Sequence, residues 1–188
     1  MRQLAVLLIS AMVLGGCTSV VDSVTDKPLS SDATSTSLGT SLNDMKMDTY
    51  IGVNIKKADP DLDKSHINVH VLNGVVLLTG EVPNKDLKVL AGDVAREFKG
   101  ARQVYNELQI RGKSSVVSRT NDSVITAKLR TKFVFLKDVK STKIEIVTED
   151  SVVYLMGIID RASAQQATDI ARGTTGIRKV VQVFEYTD

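Results

Sequence analysis

The sequence predicts an α+β fold made of two tandem α-β-β-α-β units, each a three-stranded mixed sheet with two helices on one face. Three observations carry this. The chain repeats itself: "INVHVLNGVVLLTGEV" at 67–82 aligns without gaps on "IEIVTEDSVVYLMGII" at 144–159, an offset of 77. "AGDVAREFKGARQVYNELQI" at 91–110 aligns on "ATDIARGTTGIRKVVQVFEY" at 167–186, an offset of 76. The short length changes between the copies fall where loops are predicted, as a genuine internal duplication requires.

In chain order, the N-terminus comes first. Arg2 is followed by "LAVLLISAMVL" at Leu4–Leu14 and then by Gly15 and Gly16. A basic residue, a short apolar run and small residues at a cleavage position form a secretory signal. The run is shorter than the about 20 apolar residues of a membrane-spanning helix. Leu14-Gly15-Gly16-Cys17 resembles the bacterial lipobox, which implies removal of residues 1–16 and acylation of Cys17. Thr18 follows, whereas an aspartate there would resemble an inner-membrane retention signal, so the outer membrane is the expected destination. Cys17 is the only cysteine, so no intramolecular disulfide is available. Within Thr18–Asn43, 12 of 26 residues are Ser or Thr and no helical or strand period is sustained. Residues 17–43 therefore read as a lipidated cysteine with a flexible tether, spanning roughly 28 Å as a coil.

The two units follow at 44–112 and 113–188. A first helix is predicted at about 46–57 and 122–136. Ile67, Val69 and Val71 alternate with polar neighbours as a strand does, and Ile144, Ile146 and Thr148 do so less cleanly. Asn73-Gly74 is a strong type I′ hairpin signal, with Asp150-Ser151 as a weaker counterpart. Val75–Leu78 and Val152–Leu155 form the second strands, and Gly80 and Gly157 stand at equivalent places near their ends. A second helix is predicted at 84–98 and 161–173. Gly100 and Gly176 come after it, and a third strand closes each unit at 102–110 and 178–186. A unit of about 65 residues is marginally stable alone, which favours packing of one on the other.

Ile67, Val69, Val71, Asn73, Gly74, Val76, Leu78 and Gly80, then Gly100, Val104, Tyr105 and Asn106, reproduce a pattern that resembles the BON domain. The second copy departs at Asp150-Ser151 and Val181-Gln182 but keeps Gly157 and Gly176. Lipobox, Ser/Thr-rich tether and two such domains together resemble the dual-BON-domain outer-membrane lipoproteins.

Enzyme signatures are missing, and no cofactor is expected. His66 and His70 are the only histidines. Four residues span about 13 Å along a strand, so the two cannot chelate one metal, and both read as exposed strand residues. "DPDLD" at 59–63 lacks the glycine and terminal glutamate of an EF-hand loop and reads as a solvated loop turned by Pro60. Removing Arg2 leaves 23 basic against 22 acidic residues, a balance that does not indicate nucleic acid.

Charge is nevertheless uneven. Residues 44–112 carry ten basic and ten acidic side chains, whereas 113–188 carry twelve and nine. Seven basic residues against Asp122 and Asp138 leave 119–143 at +5. At about 100° per residue, Ile125, Leu129, Phe133 and Leu136 face a core, while Lys132, Lys128, Phe135 and Val124 share a flank beside it. Three readings fit that flank: a solvated face, a contact with the first unit, or a surface for anionic lipid, where lysines reach phosphates and apolar groups enter the headgroup boundary. The family resemblance implies the third: binding of an anionic phospholipid such as phosphatidylglycerol by Val124, Lys128, Arg130, Lys132, Phe133 and Phe135. For Phe133 the wheel position suits the core equally. The resemblance also implies a non-enzymatic role in outer-membrane integrity and at the division site. The alternative is a protein-interaction adaptor for envelope assembly or cell-wall hydrolase regulation, using the neutral first unit or a sheet edge.

Overall fold

A computed structural model describes residues 40–112, 116–134 and 144–188. The signal segment, Cys17 and most of the tether lie outside the described residues. In the first unit, α1 (Thr40–Ala58) and α2 (Pro60–Lys64) precede β1 (His66–Leu72) and β2 (Val75–Val82); α3 (Lys85–Glu97), β3 (Gln103–Asn106) and β4 (Gln109–Ile110) complete it. In the second unit α4 (Val116–Val134), β5 (Ile144–Glu149), β6 (Val152–Ile159), α5 (Arg161–Arg172) and β7 (Lys179–Tyr186) repeat the order. Each sheet pairs its hairpin antiparallel and its last strand parallel to the central one, so both are mixed as expected.

The central strands explain the architecture. Every residue of β2 is buried, and so are seven of the eight in β6. Val76, Leu78 and Val82 point to one side, where they pack with Ile51 and Ile55 of α1 and Ala91 and Ala95 of α3. In the second unit Val153 and Leu155 meet Ile125, Leu129 and Phe133 of α4 and Ala164, Ala167 and Ala171 of α5. The alternate residues point the other way, and there Val75 and Leu77 of one sheet meet Val147, Val152, Tyr154, Met156 and Val183 of the other. Helices, sheet, sheet and helices therefore form four layers around three cores.

Both hairpins turn through two left-handed residues. Asn73 and Gly74 have φ of 52° and 74°, and Asp150 and Ser151 have 48° and 61°. The Asn-Gly pair adopts this conformation readily, whereas Asp150-Ser151 has no glycine. The first helix of each unit supplies the missing stabilisation. Asp44 accepts from the backbone N–H groups of Asn73 and Gly74 (2.6 and 3.1 Å), and Asp122 accepts from those of Asp150 and Ser151 (both 2.8 Å).

Four features depart from the sequence expectation. The first helices start earlier, at Thr40 and Val116, so the last residues of the expected tether are helical. "DPDLD" is a helical turn rather than a solvated loop: Asp59 caps it through the Asp61 N–H at 2.7 Å, Pro60 occupies the first turn, and Leu62 is fully buried. A capping aspartate followed by proline is a helix-start signal in its own right. The third strand of the first unit is broken, because Leu108 turns inward to the helix-side core. Finally, His66 and His70 are partly buried and face the other unit, with His66 Nε2 3.8 Å from Glu149 and His70 Nδ1 3.4 Å from Glu145.

Leu77 is fully buried between the two sheets. Leu77→Ala is expected to lower the unfolding free energy by about 2–5 kcal/mol. Urea unfolding followed by circular dichroism should show both units lost in one transition, because they share that core.

Candidate functional site

The site predicted from the sequence is α4, and its position follows from its apolar stripe. Ile125, Leu129 and Phe133 recur every four residues and are all 2% exposed or less. They fix one side of the helix against the second sheet, so the remaining side chains are distributed by rotation about that line.

The structure separates the candidate residues. Val124 is 46% exposed, and Lys128, one turn on, is exposed beside it. Arg130 is exposed on the opposite flank, where it lines a cleft toward the first unit. The Lys132 ammonium donates to Thr174 Oγ1 at 2.8 Å, just beyond the C-terminal end of α5, where a cation also complements the helix dipole. Phe133 belongs to the second core at 2% exposure, which removes it from any surface contact. Its position four residues beyond Leu129 continues the buried stripe. Phe135 lies outside the described residues, as does Cys17. Val134, which was not singled out, is 72% exposed on this helix.

Asp122 was counted from sequence as an opposing charge, yet it is only 6% exposed and accepts the two hairpin N–H groups described above. The outer surface of α4 is therefore more basic than a residue count indicates. Among the described residues, no carboxylate forms an ion pair with Lys128 or Arg130. Asp44 and Asp122 play the same part in the two copies, but they lie 78 residues apart, an offset that the sequence alignment of the repeats did not pair.

The cleft beside Arg130 has a volume of about 660 Å³ and is lined from the first unit by His66 and Asn68 and from the second by Thr126, Thr148 and Glu149. Thr126 and Thr148 hydroxyls join across its wall at 2.7 Å. Asn68 Nδ2 donates across the junction to Glu149 Oε2 at 3.0 Å. Around it, Arg111 of the first unit bridges Glu81 and Asp150 (3.1 and 2.8 Å), and Arg178 joins it on Asp150 at 2.7 Å. Elsewhere on the junction, Glu185 accepts from Asn73 Nδ2 at 2.8 Å and pairs with Arg102.

A family model described as the BON domain matches residues 52–112 and again residues 121–188. The chain belongs to the BON-domain family. Each α-β-β-α-β unit is thus one BON domain, and the junction just described lies between two of them. The chain is 31% identical over 190 residues to the Outer membrane lipoprotein DolP of Haemophilus influenzae, covering 100% of this chain and 97% of that one. It is 31% identical over 150 residues to the 21 kDa hemolysin of Actinobacillus pleuropneumoniae, covering 80% of this chain and 77% of the relative. It is 38% identical over 69 residues to the Osmotically-inducible protein Y of Escherichia coli, covering 36% and 34%. None of these three names is that of an enzyme. No helix among the described residues is long and apolar enough to cross a membrane.

Two carboxyls at the junction of the BON domains carry a pH dependence. Burial pushes Asp150 up, but Arg111 and Arg178 outweigh it and hold its carboxyl below the ordinary value. Asn73, and after it Arg102, hold Glu185 below its ordinary value against partial burial. A carboxyl lowered by folding stabilises the fold above its unfolded pKa, about 4, and that stabilisation is lost as pH falls through the lower folded value. The melting temperature is expected to change little from pH 7 to 5 on account of these groups and to fall below about pH 4. The double variant Arg102→Gln/Arg178→Gln should fall less steeply over that acid range, as read by thermal unfolding at each pH.

Proposed function

We propose that the chain is a lipid-anchored outer-membrane protein facing the periplasm, a non-enzymatic module whose second BON domain binds anionic phospholipid such as phosphatidylglycerol. Residues 1–16 are the signal, Cys17 carries the lipid, and the segment up to about residue 43 tethers two domains at 44–112 and 113–188. The observation that carries the lipid reading is the outer flank of α4: an exposed valine, Val124, one turn from an exposed lysine, Lys128, with the neighbouring Asp122 withdrawn into the hairpin. Lysine stems lie along apolar surface while their ammonium groups reach phosphate, and Val124 enters the headgroup boundary. Val134 extends the apolar contribution, and Phe135 follows it in sequence. Arg130, on the cleft side, contributes through its charge, and Lys132 through the charge it keeps while bound to Thr174. The relative named as an outer-membrane lipoprotein matches along the whole chain, which supports the location; a role in outer-membrane integrity, including at the division site, is part of the same proposal.

Ile110, 53% exposed on the short edge strand β4, favours one other reading. It suits an adaptor that binds envelope-assembly or cell-division proteins through a sheet edge. Photo-crosslinking in cells from positions 124 and 110 separates the two, since the lipid reading requires lipid adducts at 124.

The decisive experiment is flotation of the full chain carrying Cys17→Ser, which removes the anchor. More protein is expected to float with phosphatidylglycerol vesicles than with zwitterionic ones, and high salt should reduce the difference. A basic residue at an anionic surface contributes about 1 kcal/mol, so Lys128→Ala should weaken binding roughly fivefold with an unchanged circular dichroism spectrum. Equal recovery with both vesicle types overturns the reading.

A further inference from the structure

We propose that His66, Glu81 and Glu149 form a binding site for a first-row divalent cation at the junction of the two BON domains. The register of the first sheet sets His66 directly opposite Glu81. Both stand on the face turned away from the helices, because their neighbours Ile67 and Val82 belong to the helix-side core. Glu149, at the end of β5, meets them from the second domain. A ring nitrogen of His66 and one carboxylate oxygen from each glutamate all lie within 4.8 Å of one another, with His66 Nε2 at 3.8 Å from Glu149 Oε2.

Burial makes this more than a cluster of acids. Glu81 is 1% exposed and Glu149 8%. Arg111 occupies one oxygen of Glu81, Oε1, at 3.1 Å. The other oxygen, Oε2, is buried with no hydrogen-bond partner. Thr79, fully buried two residues earlier on the same face and opposite Asn68 in the register, has its hydroxyl in the same condition. These are the two orphaned buried side-chain oxygens among the described residues, and they adjoin each other on one strand. Buried acceptors of this kind are satisfied in native proteins by bound water or an ion. A hydrated cation held by the two carboxylates would supply Glu81 Oε2 with a positive partner and Thr79 with a water.

The donor set suits the class. One imidazole and two carboxylates match Zn²⁺ and related ions, with bonds of about 2.0–2.2 Å. Such bonds place tetrahedral ligand atoms about 3.3–3.6 Å apart, so the present separations close with small side-chain rotations. Asn68 is the switch. Its Nδ2 now bridges His66 Nε2 at 3.2 Å and Glu149 Oε2 at 3.0 Å, and so occupies the space between the two ligands. A half-turn of that amide presents its oxygen instead, giving a fourth ligand. The cleft of about 660 Å³, lined by His66, Asn68 and Glu149, provides the path for entry. Occupied, the site would tie β1 and β2 of the first domain to β5 of the second.

Isothermal titration of Zn²⁺ into the tag-free, chelator-stripped full chain in detergent tests this. One ion per chain is expected, with a rise in melting temperature. His66→Gln and Glu149→Gln should each weaken binding by more than the roughly tenfold that even an outer-shell change costs. His70→Gln, on the same strand but facing Glu145, should bind as the parent does. Should Glu81→Gln fail to fold by circular dichroism, partly exposed His66 still decides the matter. Cobalt substitution adds a signature, with intense visible bands expected in the parent and weak ones in His66→Gln. Failure to find saturable binding, or equal affinity in His66→Gln, would mean that water alone fills the site.

Discussion

The face-to-face contact of the two sheets is the constraint on which the rest of the molecule depends. A three-stranded sheet has two faces, and two helices cover only one of them. The central strands β2 and β6 are apolar on both faces, with Val75 and Leu77 alternating with Val76 and Leu78. A single BON domain of this sequence would leave Val75 and Leu77, or Tyr154 and Met156, against water. Burial of each such side chain is worth about 1.5–3 kcal/mol, a large share of the stability of so small a domain. The second copy is therefore structural material for the first. Its junction is also selective, because apolar residues fill the middle while Arg102, Arg111, Asp150 and Glu185 pair around it.

That arrangement explains what could be read from the sequence. The continuous run Val75–Leu78 lacks a clean period of two because both its faces are buried, and its position after Asn73-Gly74 still marked it as a strand. Hairpins, second helices and the order of elements were legible because each rests on local chemistry repeated twice. The broken third strand of the first domain was not legible, since Leu108 leaves the ladder only to fill a space created by distant helices. The pairing of Asn68 with Glu149, 81 residues away, has no local signature either. For the candidate site, helical periodicity correctly separated Lys128 and Val124 from the Ile125–Leu129 stripe. It could not decide Phe133, which lies at the edge of that stripe, and the candidate set grouped Arg130 with Lys128 although two residues at about 100° each already turn them apart, as the structure shows.

The helix proposed to contact lipid is unusually well held for a surface element. Its N-terminal half is fixed by Asp122 on the Asp150-Ser151 hairpin, its middle by Ile125, Leu129 and the Thr126–Thr148 contact, and its end by Phe133 and the Lys132–Thr174 bond. An amphipathic segment that folds only on a membrane must offset its ordering entropy with binding energy. This helix is already formed, so its few exposed groups keep more of their interaction energy for the surface. A lipid anchor supplies proximity without orientation, and a helix pinned along its apolar stripe fixes which of its side chains face outward.

The same connections give the junction a route to the helix. Arg111 of the first BON domain holds Asp150, whose backbone N–H is held by Asp122 in the N-terminal half of α4. Glu149, one residue earlier, lines the cleft that Arg130 of α4 overhangs. A change in charge at Glu149 or Asp150 therefore acts within a few bonds of the hairpin that anchors the helix. A rigid body offers few ways to release such a change. Either the junction absorbs it by rearranging Asn68 and Arg111, or α4 shifts as a unit on its apolar stripe. The tight packing of Ile125, Leu129 and Phe133, all nearly inaccessible to water, favours the first. On that ground a change at the polar end of the junction is expected to leave the direction of α4 fixed.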